Sequence, residues 1–371
     1  MRHYRLWLKI QFINLGTVYD ARRIKSELEF IIDKIQVISF SKCPGLEDVA
    51  DLELQGWNAL HTLHISKCSA LNNVPDLVGC TELRTLEITM CDALTSVARL
   101  GSSLESVDLS SVARLGSSLE SVDLSGCGNL RCVGGLAEYT GLISLSLADC
   151  ASLTGVAGLG SCTKLQTLNL SYCTRLDNVV SLGDCNSLHI LNLMGCDALT
   201  DVSPLGKCEH LQNLNLSRCD ALTDVSALAQ CKNLQTLVLK DCRVLTDVAA
   251  LGGCTNLHTL VLEDCNITDA DVVSLGDCNS LHILNLMGCD ALTDVSALKN
   301  CKHLEHLNLS GCTGLTDVIA LGRCTRLQHL NLRGCTALND ESYGFMRHIL
   351  KDVLLDDATM QRYLDDDVDN Y

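Results

Sequence analysis

Hydrophobic positions recur along most of the chain with a period of 23 residues. Successive copies of one pattern, LxxLxLxxCxxLTDVxxLxxCxx, occupy residues 165–187, 188–210, 211–233 and 234–256. In each copy two apolar residues alternate with polar neighbours, as Leu191 and Leu193 do, and this period of two predicts a short strand with one buried face. Apolar residues then follow at three-residue steps. That spacing predicts a tight return arm of 3₁₀ or extended backbone.

The first cysteine of the pattern marks about thirteen tandem units between residues 35 and 340. It recurs at Cys43, Cys68, Cys91, Cys127, Cys150, Cys173, Cys196, Cys219, Cys242, Cys265, Cys289, Cys312 and Cys335. One such unit cannot bury its apolar face alone, whereas a stack of units can. We therefore predict an α/β solenoid with a curved parallel β-sheet on the concave face and short 3₁₀ or irregular arms on the convex side.

The chain departs from the repeat at both ends and at one internal site. Apolar residues at helical spacing predict a helix in the N-terminal cap segment, 1–34, and a C-terminal capping helix at 341–355. Residues 356–371 form an acidic tail, which we expect to be solvated. A 15-residue string occurs twice, back to back, within 96–125. Because it is too short for a full coil, one copy should form a loop or distort the stack.

One longer string is also present twice. Residues 179–203 and 272–296 are identical over 25 positions. This identity indicates copying within the array, so a residue inside the copied block is weak evidence for a unique functional site.

Composition and charge narrow the function classes. The 371 residues include 28 Lys and Arg against 45 Asp and Glu, a net charge of −17, which argues against nucleic-acid binding. The N-terminus lacks the apolar run and cleavage site of a signal peptide, and no segment is apolar enough for a membrane span. We therefore expect a cytoplasmic protein, not inserted in a membrane, whose 23 cysteines are free thiols.

Residue types that often carry chemistry have simpler explanations in this chain. No CxxC pair exists, so we expect no metal site and interpret the cysteines as small buried core residues. A column of aspartates could suggest calcium, but aspartate after threonine also caps turns, which we favour. That column is Asp201, Asp224, Asp247, Asp269, Asp294, Asp317 and Asp340. Phosphate-binding loops and nucleophile elbows are absent, and we expect neither a cofactor nor an enzymatic activity.

The outward positions of the predicted strands are the strongest candidates for partner binding. They form a nearly continuous polar ribbon that could bury a protein interface of standard size, about 800 Å² per partner. Lys240 and Glu263 can pair across neighbouring strands. His306 and His329 occupy equivalent positions on neighbouring strands and could stack. The alternative is that two exposed repeat positions both carry histidine by coincidence. The candidate contact residues are Asn169, Asn192, Asn215, Lys240, Glu263, Asn285, His306, Asn308, His329, Asn331 and Arg333.

The LxxLxLxxC core is the signature of leucine-rich repeats, with cysteine where many repeats carry asparagine. The unit at 211–233 resembles the leucine-rich-repeat proteins of trypanosomatid parasites, and their TDVSPL string stands at 200–205. Those proteins include some described as adenylate cyclase regulators, and some members carry a RING-type zinc finger. This chain differs by a second cysteine column, as at Cys208 and Cys231, and has no RING cluster.

These observations favour a non-enzymatic interaction scaffold or regulatory protein that binds a protein partner on the concave face. The main alternative is a substrate-recognition subunit of a ubiquitin ligase whose catalytic partners are separate chains. A third possibility, recognition at the cell exterior, would require oxidised cysteines.

Overall fold

A computed structural model describes most of the predicted array and little outside it. The described residues are 35–46, 57–72, 77, 80, 82–94, 119–339 and 341–342. The predicted N-terminal cap segment and the acidic tail lie outside them. Of the predicted C-terminal helix, only Glu341 and Ser342 lie within them, and both are helical. The chain divides into two units, Met1–Ser187 and Leu188–Tyr371.

Short parallel strands, one per repeat, form the sheet of each unit. In the first unit they are β1 (Val37–Ser41), β2 (Thr62–Ser66), β3 (Thr85–Thr89), β4 (Ser121–Asp123), β5 (Ser144–Ser146) and β6 (Thr167–Asn169). In the second unit they are β7 (Ile190–Asn192), β8 (Asn213–Asn215), β9 (Thr236–Val238), β10 (Thr259–Val261), β11 (Ile283–Asn285), β12 (His306–Asn308) and β13 (His329–Asn331). Within a unit each strand pairs in parallel with the next, so equivalent repeat positions form columns. The predicted parallel solenoid with 3₁₀ arms is confirmed.

The return arm of most repeats contains one turn of 3₁₀ helix. These turns are Gly134–Glu138, Leu159–Ser161, Val180–Asp184, Ser203–Lys207, Ser226–Gln230, Ala249–Gly253, Ser296–Asn300 and Ile319–Arg323. A side-chain oxygen caps the start of many of them. Asp201 Oδ1, for example, accepts the Ser203 N–H at 2.7 Å. Asp224, Asp247, Asp294 and Asp317 make the same contact two residues on. The predicted turn-capping role of the aspartate column is confirmed for these five residues.

Leucines and thiols fill the interior of every described repeat. All 23 cysteines are free, and 22 of them are buried; Cys132 is exposed. Along a repeat such as 191–211, the inward residues are leucine on the strand, then cysteine, leucine, valine, leucine and cysteine at three-residue steps, each at most 1% exposed. At roughly 1.5–3 kcal/mol for each fully buried aliphatic side chain, several such residues per repeat offset the conformational entropy that the backbone loses.

From Cys127 onward, most buried thiols also donate a hydrogen bond to a carbonyl oxygen of the preceding repeat, whereas Cys43, Cys68 and Cys91 donate to a carbonyl two residues earlier in their own repeat. In the first cysteine column, Cys219 Sγ lies 3.3 Å from the Leu193 carbonyl oxygen, which also accepts the Cys196 N–H at 3.2 Å. In the second column, Cys231 Sγ lies 3.3 Å from the Leu205 carbonyl oxygen. A carbonyl oxygen has two lone pairs, and water does not reach these oxygens in the core. The cysteines therefore act as donors to the buried backbone as well as small core residues.

One repeat replaces the 3₁₀ turn with an α-helix, α1 (Asp269–Leu275). Asp271 is 4% exposed, and its carboxylate accepts the Thr268 N–H at 2.9 Å, the Thr268 hydroxyl at 2.8 Å and the Val248 N–H at 2.9 Å. This arrangement holds the first turn of α1 against the preceding repeat. The aspartate of the Thr-Asp column here, Asp269, does not cap its own turn and accepts the Thr293 N–H of the next repeat at 2.7 Å.

The 15-residue duplication does not add a strand to the ladder of the described residues. Leu86 in β3 pairs directly with Val122 in β4, which lies 36 positions later and belongs to the second copy. The Met90 N–H continues this pairing by donating to the Ser125 carbonyl oxygen at 2.8 Å. Residues 95–118, which contain most of both copies of the duplicated string, lie outside the described residues.

We expect the buried thiols to be chemically silent in the folded protein, including Cys68, because it is 0% exposed even though its hydrogen bond with Cys91 lowers its pKa to about 6. Burial raises the pKa of Cys127 to about 11 and that of Cys173 to about 12, so both stay protonated near neutral pH. A small maleimide at about pH 7.5 should label one thiol per native chain, Cys132, and all 23 in denaturant, as counted by intact mass. Rapid labelling of many thiols without denaturant would contradict the core described here.

The thiol hydrogen bonds predict a measurable contribution to stability. Cys219→Ala removes the donor to the Leu193 carbonyl oxygen and leaves a small cavity, so the free energy of unfolding should fall by about 1–2 kcal/mol. Cys132→Ala is the matched control, because Cys132 is exposed, and it should change the value by less than about 0.5 kcal/mol in urea unfolding. Equal effects of the two substitutions would contradict this role.

Candidate functional site

The side of the sheet that faces away from the leucine core is the place where a partner could bind. In the second unit we call this surface the open face, defined by the outward side chains of β7 to β13 and of the two residues after each strand. Its central column is Asn192, Asn215, Val238, Val261, Asn285, Asn308 and Asn331.

The expectation that the asparagine column is solvent-exposed is wrong for four of its members. Asn192 and Asn308 are 7% exposed, Asn215 is 3% exposed and Asn285 is 1% exposed. Asn331 in β13, and Asn169 in β6 of the first unit, are half-buried. These amides form the floor of the open face, not its accessible rim.

The physical reason is that each asparagine bonds to its own chain. Asn215 Oδ1 accepts the Ser217 N–H at 2.9 Å and the Ser217 hydroxyl at 2.7 Å. Equivalent bonds of 3.0–3.1 Å join the amide oxygen to the N–H two residues on at Asn169, Asn192, Asn285, Asn308 and Asn331. A short amide at a strand end satisfies the N–H that the ladder leaves free, as in an Asx turn. The asparagines therefore fix the turn at the strand exit.

Two valines interrupt this column, and the predicted ion pair lies beside them. Val238 and Val261 are 6% and 2% exposed and have no side-chain acceptor for a turn. Lys240 Nζ lies 2.8 Å from Glu263 Oε1, which confirms the predicted pair. Asn285 Nδ2 donates to Glu263 Oε2 at 3.3 Å, so the network continues into β11. Glu263 itself is 9% exposed, which leaves Lys240 as the accessible member of the pair.

The accessible rim of the open face is therefore smaller than the sequence predicts. It includes Lys240, whose side chain is 40% exposed, Met287, which is 38% exposed, and Arg333. Met287 was not among the predicted contact residues, because it lies in the copied block and no sequence signal separates it from Met194. These side chains stand on a floor fixed by strand pairing and Asx bonds, so their positions are well defined.

His306 and His329 do stack, at the end of the open face formed by β12 and β13. Their ring centroids are 4.5 Å apart and their planes differ by 5°. The expectation that both are exposed is wrong for His306, which is 7% exposed, because His329 and the neighbouring strand cover it. Burial lowers the pKa of His306 and the adjacent His329 lowers it further, whereas Glu305 opposes this effect.

Other stacked imidazoles lie beside the open face, just before the strands begin. His258 and His282 stack with ring centroids 5.1 Å apart, and His189 and His210 stack at 5.9 Å, whereas the rings of His282 and His303 are 5.7 Å apart and tilted by 30°. In the sequence, His258 and His282 share one flanking position of the repeat. Only the alignment of neighbouring repeats in the structure shows that the rings of His258 and His282 contact each other.

Preformed sites for other functions do not appear in the described part of the chain. Within it, no three His, Cys, Asp or Glu side chains converge as metal ligands. No helix there is long and apolar enough to cross a membrane.

The buried imidazole predicts a loss of stability in acid. The folded-state pKa of His306 lies below its unfolded value of about 6.5, so the unfolded chain binds a proton that the folded chain resists. The stability that neutral, buried His306 contributes to the folded state is fully present above about pH 6.5 and is lost as the pH falls below that value. His306→Gln should therefore show a smaller fall in the free energy of unfolding than wild type between about pH 7.5 and pH 5.5.

Gln212→Ala serves as the control for this pH series, because Gln212 is half-buried at the edge of the same sheet and carries no titratable group. It should retain the wild-type dependence. If the free energy of unfolding fell equally with pH in the His306 variant and in the wild type, the stacked pair would not resist protonation.

Comparisons with known proteins agree with this architecture. The family model described as Leucine Rich repeat matches residues 161–179, 207–229, 253–276, 277–299 and 300–321. No curated protein sequence matches the chain. An internalin from Listeria monocytogenes superposes with a TM-score of 0.56 at 21% identity, over 72% of this chain and 78% of that one. A chain of the mouse RP105/MD-1 complex superposes with a TM-score of 0.63 at 18% identity, over 88% of this chain and 55% of that one.

At these identities the solved structures establish the fold alone. The family model, the 23-residue period and the parallel strands agree on the repeat type. The chain therefore carries leucine-rich repeats and has the leucine-rich-repeat fold.

Proposed function

We propose that this chain is a protein-interaction scaffold that binds its partner on the open face of the second unit. The observation that supports this most directly is the contrast between a fixed floor and an accessible rim. Strand pairing and Asx bonds hold the floor, while Lys240, Met287 and Arg333 extend beyond it. Because the backbone that carries these side chains is already ordered, binding has to order only their rotamers, which limits the entropic cost.

The fold class supports a binding function over catalysis. Leucine-rich repeats commonly serve as protein-interaction scaffolds and are generally not enzymes. The asparagines and His306 named from sequence contribute to binding by shaping the floor, and we assign the first contacts to the rim. The net charge of −17 favours a protein over a nucleic acid as the partner.

Two further observations bear on the nature of the partner. The resemblance to trypanosomatid repeats favours a regulatory role in signalling. The 22 buried thiols favour a compartment that keeps cysteines reduced, such as the cytoplasm. A substrate receptor for a ubiquitin ligase is the alternative, and a cullin or RING subunit among the bound proteins would favour it.

Rim substitutions provide the test of this proposal. In the native cell, Lys240→Ala/Met287→Ala/Arg333→Ala should reduce recovery of the specific partner at least about tenfold, equivalent to about 1.4 kcal/mol. The readout is quantitative mass spectrometry after affinity capture. Thermal unfolding of the purified variant establishes that the fold is intact.

A matched variant removes exposed apolar residues elsewhere in the same unit. Val244 and Val273 are 43% and 63% exposed and lie on return arms, outside the open face. Val244→Ala/Val273→Ala should leave recovery unchanged. A partner lost with this control variant, and kept with the rim variant, would place the interface elsewhere.

A further inference from the structure

Two histidines on neighbouring repeats of the second unit are held in a common orientation. His258 and His282 each lie one residue before a strand, β10 and β11, and the His282 N–H donates to the His258 carbonyl oxygen at 2.9 Å. Their ring centroids are 5.1 Å apart and their planes differ by 10°. This pair lies at the edge of the sheet, outside the open face.

The backbone fixes which nitrogen of each ring is available. His258 Nδ1 lies 2.6 Å from the Asn256 carbonyl oxygen, and His282 Nδ1 lies 2.6 Å from the Ser280 carbonyl oxygen. A carbonyl can only accept, so both Nδ1 atoms carry the proton and both neutral rings keep a lone pair on Nε2. Histidines that bind metals are oriented in this way, by a hydrogen bond from the other ring nitrogen.

The same column continues with a carboxylate. The Glu305 N–H donates to the His282 carbonyl oxygen at 2.8 Å, so Glu305 occupies in the next repeat the position of His282. Imidazole together with carboxylate suits first-row transition metals. His303, whose ring lies 5.7 Å from that of His282 and is tilted by 30°, is differently placed, because Arg326 Nη1 lies 3.2 Å from its Nδ1. An arginine can only donate, so the His303 lone pair is engaged at Nδ1.

We propose that His258 and His282 bind a divalent transition-metal ion of the zinc class through their Nε2 atoms. Zinc–nitrogen bonds of about 2.0–2.1 Å in a tetrahedral site bring two nitrogens to about 3.4 Å, so the stacked rings must tilt toward each other. Both rings lie at the surface, His258 exposed and His282 half-buried, so this tilt requires only side-chain rotation about rings that stay anchored at Nδ1. Glu305 supplies the third protein ligand and water completes the shell. Because the three side chains converge only when the ion binds, affinity is lower than in a closed structural site.

The copied block supplies an internal control. His189 stands at the position of His282 within the identical 25-residue string, and its ring lies 5.9 Å from that of His210, as the His282 ring lies 5.7 Å from that of His303. The next repeat, however, carries Gln212 where Glu305 follows His282. If local sequence alone created a site, both copies would bind. The column of His258, His282 and Glu305 is therefore the distinguishing feature.

Zinc titration of the untagged full chain by calorimetry tests the proposal. The experiment uses the Cys132→Ser background, so that the exposed thiol does not compete, with the Cys132→Ser chain itself as the reference. His258→Gln and His282→Gln should each weaken the site at least about tenfold, and Glu305→Gln should weaken it less. His189→Gln should leave the affinity unchanged. Zinc should also raise the midpoint of thermal unfolding in the reference and not in His258→Gln, because ligation ties β10 to β11.

Zinc affinity that is the same in the reference and in His258→Gln would overturn the proposal, as would an equal loss in His189→Gln. Both His258→Gln and His189→Gln change exposed or half-buried side chains, so we expect each variant to fold. These outcomes are independent of partner binding, since the histidines lie outside the open face. Failure of this site would leave the proposed scaffold function intact, and the reverse also holds.

Discussion

Burial of backbone carbonyl groups inside a narrow coil is the constraint on which this structure depends. Every repeat turns twice within 23 residues, and each turn directs carbonyl oxygens into a core that water does not enter. The backbone supplies one donor to such an oxygen, from the N–H three residues on, and from Cys127 onward the thiol of the next repeat commonly supplies the second. Two columns of cysteine therefore run through the core as free thiols, and in the described residues they do not converge into a cluster of metal ligands.

The need to hydrogen-bond every backbone polar group also explains the polar columns on the outside of the coil. Asparagine at the strand exit and aspartate before the 3₁₀ turn each accept the N–H two residues ahead. Both columns look like repeated ligand sites when only their periodicity is considered. In the structure these oxygen atoms accept hydrogen bonds from the chain itself, so binding must rely on other side chains. Lys240, Met287 and Arg333 remain accessible on the open face, and the imidazoles of His258 and His282 remain at its edge.

The sequence predicts the fold well because burial produces a strict period. Leucine and cysteine positions give the strands, the parallel order and the inward columns, and the cross-strand pairing of Lys240 with Glu263 follows from register. The orientation of short polar side chains cannot be predicted in this way. The amide of Asn285 turns toward its own backbone because a free N–H lies within reach, and this competition depends on local geometry that periodicity does not encode.

Context also overrides sequence in the copied block. Residues 180–184 form a 3₁₀ turn, whereas the first three of the equivalent residues, 273–275, belong to helix α1, because Thr268 and Asp271 nucleate an α-helical turn just upstream. His189 and His282 likewise share a local sequence and differ in their column neighbours. In both cases residues outside the copied block decide the outcome.

The most direct measurement of the central claim is the S–H stretching band in the Raman spectrum of the native protein. Donation to carbonyl oxygens lowers the frequency of this band. The account predicts that nearly all of the S–H intensity is shifted to lower frequency in the folded state and moves to the solvent-exposed thiol position on unfolding. Intensity concentrated at the frequency of thiols without hydrogen bonds, in a folded chain, would contradict it.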